Sequence, residues 1–173
     1  MGVPMGITTE LQYIAAACIV IFFLGMKDDI LVLSASKKFI GQLIAAGILI
    51  KFAGVQITSM HGFLGIYEIP HYASIALSLF TIIVITNSFN LIDGIDGLAG
   101  SLGLLTTFLF GAYFYYIGHI EYAVIAFALT GSLISFLIYN FSPAKIFMGD
   151  TGSLLLGLIN SVLVIKFINL SNV

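Results

Sequence analysis

The sequence predicts an all-α fold, a polytopic transmembrane helix bundle of about six spans, and three observations carry that expectation. Of its 173 residues, 60% are hydrophobic and 8% charged, and the mean hydropathy is +1.16; a soluble domain of this size could not cover so much apolar surface. Apolar runs recur at lengths that suit a bilayer, whose hydrocarbon core of about 30 Å takes roughly 20 residues at about 1.5 Å rise each. The connections between these runs are short, so residues 1–173 read as one transmembrane domain with no extramembrane domain inside it.

The first span runs from Ile7 to Met26, and the residues ahead of it lack the basic flank of a signal peptide. Cys18 lies within it, so neither a disulfide nor a cysteine metal site can be built, and the thiol reads as packing. The second span covers Phe39 to Val55 and the third Tyr72 to Ile92. Residues 54–71 between them, rich in Gly and aromatics, read as an external turn or hairpin. Leu98 to Ile117 and Tyr122 to Phe141 form the fourth and fifth spans, with Pro143 as the stop, and Ser153 to Leu170 forms the sixth. Asp150, Thr151 or Ser153 can cap that last helix, and its start would turn N–H groups and a positive dipole end toward a phosphate.

Six spans in sequence place residues 27–38, 87–100 and 142–152 on one face. Lys27, Lys37, Lys38 and Lys145 fall there, against Lys51 and Lys166 opposite, so the positive-inside rule makes that face cytoplasmic. The acids divide more sharply. Asp28, Asp29, Asp93, Asp96 and Asp150 all fall on this face, whereas Glu10, Glu68 and Glu121, with His61, His71 and His119, fall on the other. Loop position alone accounts for the glutamates. The aspartates sit where hydrophobic runs meet short Gly-rich loops, and there an ionised carboxylate needs a cation or a donor. Five carboxylates facing four lysines suggest a bound cation, and oxygen ligands point to Mg²⁺ or Mn²⁺ rather than zinc. A net charge of −2 with six Lys plus Arg argues against nucleic acid.

Three motifs hold these acids. In Gly25-Met26-Lys27-Asp28-Asp29 the paired carboxylates stay ionised only beside positive charge, which Lys27 or a magnesium–phosphate complex could supply. In the stretch from Asn87 through Asn90, Asp93 and Asp96 to Gly100, polar residues recur every third position. On a helix they would fan around the axis, so an unwinding helical end is the expectation, helped by Gly94, Gly97 and Gly100. Amides at Asn87 and Asn90 suit a nucleobase, a sugar hydroxyl or a phosphate. The acid spacing and missing closing Glu argue against a calcium loop. The third motif runs from Asn140 through Pro143, Lys145 and Phe147 to Asp150 and Ser153. Lys27 and Lys145 are the expected contacts for phosphate or a lipid head group.

Together, the Lys-Asp-Asp span end, the Asn-x-x-Asn-x-x-Asp-Gly-x-Asp-Gly-Leu loop and the Pro-Ala-Lys-x-Phe-Met-Gly-Asp-x-Gly-Ser entry resemble the polyprenyl-phosphate N-acetylhexosamine-1-phosphate transferases over roughly residues 24–160. Within that family the chain looks most like the bacterial undecaprenyl-phosphate N-acetylglucosamine-1-phosphate transferases, glycosyltransferase family 4, with the phospho-MurNAc-pentapeptide transferases as relatives. The resemblance implies a Mg²⁺-dependent enzyme of the bacterial plasma membrane that starts cell-envelope polysaccharide synthesis. UDP-N-acetylglucosamine or a related UDP-N-acetylhexosamine would be the donor, undecaprenyl phosphate the acceptor and UMP the leaving product. It implies catalytic roles for Asp28, Asp29, Asp93 and Asp96, with the first two near the lipid phosphate and metal. It implies metal ligation by Asp150 and a nucleotide pocket formed by Asn87, Asn90, Asp93, Asn140 and Phe147. Val32 stands where many relatives carry a third acid. Family members have ten or eleven spans, so the chain resembles a core fragment, and a homodimer is one assembly it allows.

A phosphate monoester with a second pKa of about 6 is mostly dianionic near neutrality, which favours direct displacement over a covalent aspartyl intermediate. The competing readings are a transporter or channel, which would want carboxylates near mid-span, and an inactive truncated fragment.

Overall fold

The computed structural model describes residues 5–62 and 65–171. Six helices form one bundle: α1 (Met5–Leu31), α2 (Ala35–Lys51), α3 (His71–Ile92), α4 (Leu98–Tyr116), α5 (Ile120–Asn140) and α6 (Gly149–Leu170). Each expected span has its helix, with ends shifted by a few residues. α3 through α6 are each long and apolar enough to cross a membrane. α1 has 27 residues and α2 has 17, and both pack into the same bundle.

Residue size decides which helix is central. α6 packs against α1, α3 and α4, and α5 joins through α4. Small residues permit the closest crossings, as expected where helices associate by packing rather than by escape from water. A Cβ on Gly157 would lie 2.6 Å from the Thr86 Cα, so α3 and α6 meet backbone to backbone. At Gly25 a Cβ would lie 2.5 Å from the Thr151 Cα and 2.7 Å from the Asp150 carbonyl oxygen. That contact lets the end of α1 lie across the start of α6. Along the main core, Ala17 and Ile21 of α1, Ala45 and Leu49 of α2, Ile82 of α3 and Leu154 and Leu158 of α6 are buried together.

Several buried polar side chains find partners within the bundle, where lipid offers none, although Ser74 Oγ and Thr86 Oγ1 have none among the described residues. Thr106 Oγ1 donates to Asn160 Oδ1 at 2.7 Å, and Asn160 Nδ2 returns to the Leu156 carbonyl at 2.9 Å. The expected hairpin between α2 and α3 is present: Ser59 and Glu68 form an antiparallel bridge, with Phe63 and Leu64 outside the described residues.

One local expectation holds and one needs correction. α3 stays helical to Ile92 with Asp93 as its C-cap, and the chain leaves the helix over residues 93–97, as expected of this helical end; Asn87 and Asn90 lie in its last turns, and each turns to a different neighbour. α6 begins at Gly149, its N-cap is Met148, and no residue of its own supplies a side-chain cap. Asp150 and Thr151 lie inside the first turn, so capping must come from elsewhere in the fold.

Because every close atom at Gly25 is backbone, Gly25→Ala must push α1 away from α6. A loss on the order of 1–3 kcal/mol is expected, read as a lower Tm in detergent. Gly131→Ala, where a Cβ meets nothing within 4 Å, should leave the Tm level or raise it.

Candidate functional site

Helix parity delivers the α1–α2, α3–α4 and α5–α6 connections to one end of the bundle, and side-chain contacts knit them there. The N-terminus of α6 is the meeting point. Its free amides carry partial positive charge, and Asp29, at the end of α1, accepts from the Asp150 N–H at 2.7 Å and the Thr151 N–H at 3.0 Å. Thr151 Oγ1 adds a third bond at 2.5 Å. The missing cap is thus supplied by Asp29. The sequence expectation that these amides stand open to a phosphate is corrected on the same ground, since a carboxylate of the chain already occupies them.

Asp28 faces the other way and is 5% exposed. Its Oδ1 accepts from the Leu33 N–H at 2.6 Å, and its backbone oxygen accepts from Val32, which sits at φ 46°. Asp28 therefore closes α1 from both backbone and side chain, through a left-handed position rarely taken by a β-branched residue. Its Oδ2 pairs with Lys38 of α2, and the same ammonium reaches Asp150 Oδ2 at 3.0 Å. Lys38 thus joins α1, α2 and α6. It is the site residue that sequence reasoning missed, weighing it only as one of four basic residues on this face. A lysine in the first turn of an apolar span was the available signal.

The α3 fan completes the cluster. Asn87 turns to α2, where its amide and that of Gln42 exchange bonds of 2.9 and 3.2 Å. Asn90, one turn later, donates to Asp150 Oδ1 and to Ser153 Oγ, the latter at 2.9 Å. Asp93 accepts from the Gly149 N–H. Asp96 is exposed and accepts from the Ala144 N–H at 3.0 Å, tying the α3–α4 loop to the α5–α6 loop. Asn140, 4% exposed, fastens the same loops: its Oδ1 takes the Gly97 N–H at 3.0 Å and its Nδ2 donates to the Ile146 carbonyl at 2.9 Å. Of the expected loop glycines, Gly97 is the one at positive φ, 74°. Phe147 stands 75% exposed at this end, and Lys27 and Lys145 are exposed on the same surface.

Asp28, Asp29, Asp93 and Asp150 therefore share one locale, with Asp96 on its rim. The electrostatic consequence falls on Asp93. Burial raises its pKa, the Gly149 N–H partly offsets that, and the charges of Asp150 and Asp29 push it further, to about 6. The donor set is oxygen-rich, as Mg²⁺ requires, and one cation, the Lys38 ammonium, already lies between Asp28 and Asp150. Among the described residues no three acids converge as a ready metal cage. In chemistry and charge these oxygen donors would suit a divalent ion.

The opposite end behaves differently. Glu10 pairs with Lys166 at 2.8 Å and accepts from the Tyr122 hydroxyl at 2.7 Å. His119 meets Glu121 at 3.0 Å, and His61 Nε2 meets the Ile168 carbonyl at 2.7 Å. These acids and histidines hold helix ends and loops together, away from the aspartates.

An all-helical bundle with several membrane-spanning helices and one polar, acid-rich end defines a multi-pass membrane protein with an interfacial site. Residues 11–168 match the model of glycosyl transferase family 4. The chain belongs to that family. It is 38% identical over 174 residues to the phospho-N-acetylmuramoyl-pentapeptide-transferase of Clostridium perfringens strain SM101, covering 91% of this chain and 52% of that protein. To the decaprenyl-phosphate N-acetylglucosaminephosphotransferase of Mycobacterium tuberculosis strain CDC 1551 it is 38% identical over 162 residues, covering 87% and 40%. The probable undecaprenyl-phosphate N-acetylglucosaminyl 1-phosphate transferase of Bacillus subtilis strain 168 is 37% identical over 161 residues, covering 90% and 43%. The chain thus spans about half the length of these relatives, or less.

The raised Asp93 pKa sets a sign. The folded state holds this proton more tightly than the unfolded chain, whose value is 3.8. Ionised Asp93 therefore costs stability, and that cost grows as pH rises from about 4 through about 6. Asp93→Asn should raise the Tm at pH 8, reflecting a stabilisation on the order of 1–2 kcal/mol once solvent screening is allowed for, and the gain should vanish below pH 4. Thermal unfolding of both proteins across that range measures it.

Proposed function

We propose that the chain carries the catalytic core of a Mg²⁺-dependent glycosyl-1-phosphate transferase. It moves N-acetylglucosamine 1-phosphate, or a related N-acetylhexosamine 1-phosphate, from a UDP-sugar to undecaprenyl phosphate and releases UMP. The observation that carries this reading is the gathering of Asp28, Asp29, Asp93 and Asp150 at the start of α6, with Lys38 between Asp28 and Asp150. Family membership supports it, as do relatives named for polyprenyl-phosphate acceptors. The acid end faces the cytoplasm of a bacterial plasma membrane in this reading, in keeping with its four lysines.

In the reaction an oxygen of the lipid phosphate attacks the sugar-bearing phosphorus. A new P–O bond forms, the bond to the bridging oxygen breaks, and that oxygen leaves with UMP. Phosphoryl transfer asks mainly for alignment and charge stabilisation. A Mg²⁺ ion, when bound, supplies the charge neutralisation that the diphosphate needs. Asp150, with its neighbouring acids, would hold that ion, and Asn90 fixes the carboxylate by its bond to Oδ1. Lys38 positions Asp28 against Asp150 and offers the attacking phosphate positive charge. Asp29 keeps the α6 end in place, while Asp96 and Asn140 hold the two loops on which Phe147 and Lys145 approach the nucleotide and phosphates.

A transporter would want acids near mid-span. Among the described residues these aspartates sit at helix ends and loops, so that reading loses ground.

The test is exchange of labelled UMP into UDP-N-acetylglucosamine in membranes carrying the full reading frame that encodes this chain. Asp150→Asn should lower exchange by about 100-fold or more, and Lys38→Ala by a comparable factor, with Lys38→Arg recovering part. Full exchange by Asp150→Asn would remove the assignment. Exchange restricted to other UDP-sugars would keep the site and change the donor.

A further inference from the structure

The acid site leaves one built feature of the bundle unused. Near that end, α2 and α3 are tied by the reciprocal amide pair of Gln42 and Asn87. Further along, toward the opposite face, the two helices enclose a cleft of about 560 Å³. Its trough is apolar, lined by Leu43, Gly47 and Ile50 from α2 and by Ile75 and Leu79 from α3. Gly47 makes the floor: a Cβ there would meet nothing within 4 Å. The mouth is polar. Lys51 ends α2 and His71 begins α3, so both stand at the far surface of the bundle, and both are exposed.

We infer that this cleft binds one anionic diacyl phospholipid from the leaflet opposite the acid site, with its phosphodiester on Lys51 and His71 and one acyl chain along Gly47.

Depth fits one leaflet: from Leu43 to Lys51 the trough rises about 12 Å, against about 15 Å for half of a hydrocarbon core. Charge fits as well. No carboxylate lines the cleft, and the first turn of α3 adds the positive end of its dipole at the mouth. Gln56, the other polar residue at the mouth, spends its amide N–H on the Ile50 carbonyl at 2.9 Å. Lys51 is thus the fixed charge of the mouth. A free phosphate would leave the trough without an occupant, whereas an acyl chain fills it. The inference is independent of the reaction proposed for the acid end.

Native mass spectrometry of the delipidated chain, titrated with phosphatidylglycerol and phosphatidylcholine of matched acyl chains, reads the site. The wild type should keep one phosphatidylglycerol with a preference of roughly fivefold, the worth of one basic side chain at a membrane surface. The doubly substituted K51Q/H71Q should lose the preference, G47F should lower retention of both lipids, and K37Q on the other face should change neither. Equal retention of the two lipids by wild type would overturn the inference, as would a preference that survives K51Q/H71Q or disappears in K37Q. Release of phosphatidylglycerol by millimolar inorganic phosphate would reassign the mouth to a free anion. Disulfide-linked dimers of Gly47→Cys in a Cys18→Ser background, formed in native membranes, would mean that a second copy fills the cleft.

Discussion

The start of α6 is the constraint on which the rest of the acid end depends. A helix that begins at the end of a bundle presents unpaired N–H groups that call for acceptors. Asp29 takes two of these amides and Asp93 a third. The two acids come from the C-terminal ends of α1 and α3, so satisfying one helix end fixes three chain segments together. Gly25 makes this possible, because any side chain there would hold α1 too far from Asp150 and Thr151.

Bringing acids to one amide cluster also brings them to each other. Burial first, and then repulsion from Asp150 and Asp29, raise the proton affinity of Asp93, and Lys38 and Asn90 hold the two oxygens of Asp150. The far end has no such concentration: Glu10 is neutralised by Lys166 and Glu121 faces His119. The bundle is therefore polarised. One surface keeps negative charge gathered and only partly balanced, while the other spends Glu10, Glu121 and Lys166 on closing loops and helix ends and leaves Lys51 exposed. An arrangement of the first kind can meet a divalent ion; the second has no comparable gathering of acids among the described residues.

Within the family match, residues 11–168 include every one of these acids. The division of labour among them is uneven. Asp28, Asp29, Asp96 and Asn140 each spend an oxygen on backbone amides of neighbouring segments. Asp150, by contrast, is held entirely by side chains, Asn90 and Lys38, which can move without unravelling the backbone. A carboxylate so held is the natural one to exchange partners when a substrate enters.

The amino-acid sequence by itself determined the helices and their sidedness. Apolar runs near 20 residues admit little else in a bilayer, and an even number of crossings sends Asp28, Asp93 and Asp150 to the same surface whatever the packing. It also predicted that acids in excess there would need a cation. Pairings lay beyond its reach, since which lysine serves which carboxylate depends on helix rotation and crossing distance. Lys27, adjacent to the acids in sequence, lies exposed, while Lys38, ten residues on, bridges Asp28 to Asp150. In the same way the cap of α6 was sought among Asp150, Thr151 and Ser153 but comes from Asp29, 121 residues away from Asp150. Periodicity is local and survives reading along a chain; hydrogen bonds between distant segments exist only once the helices have packed.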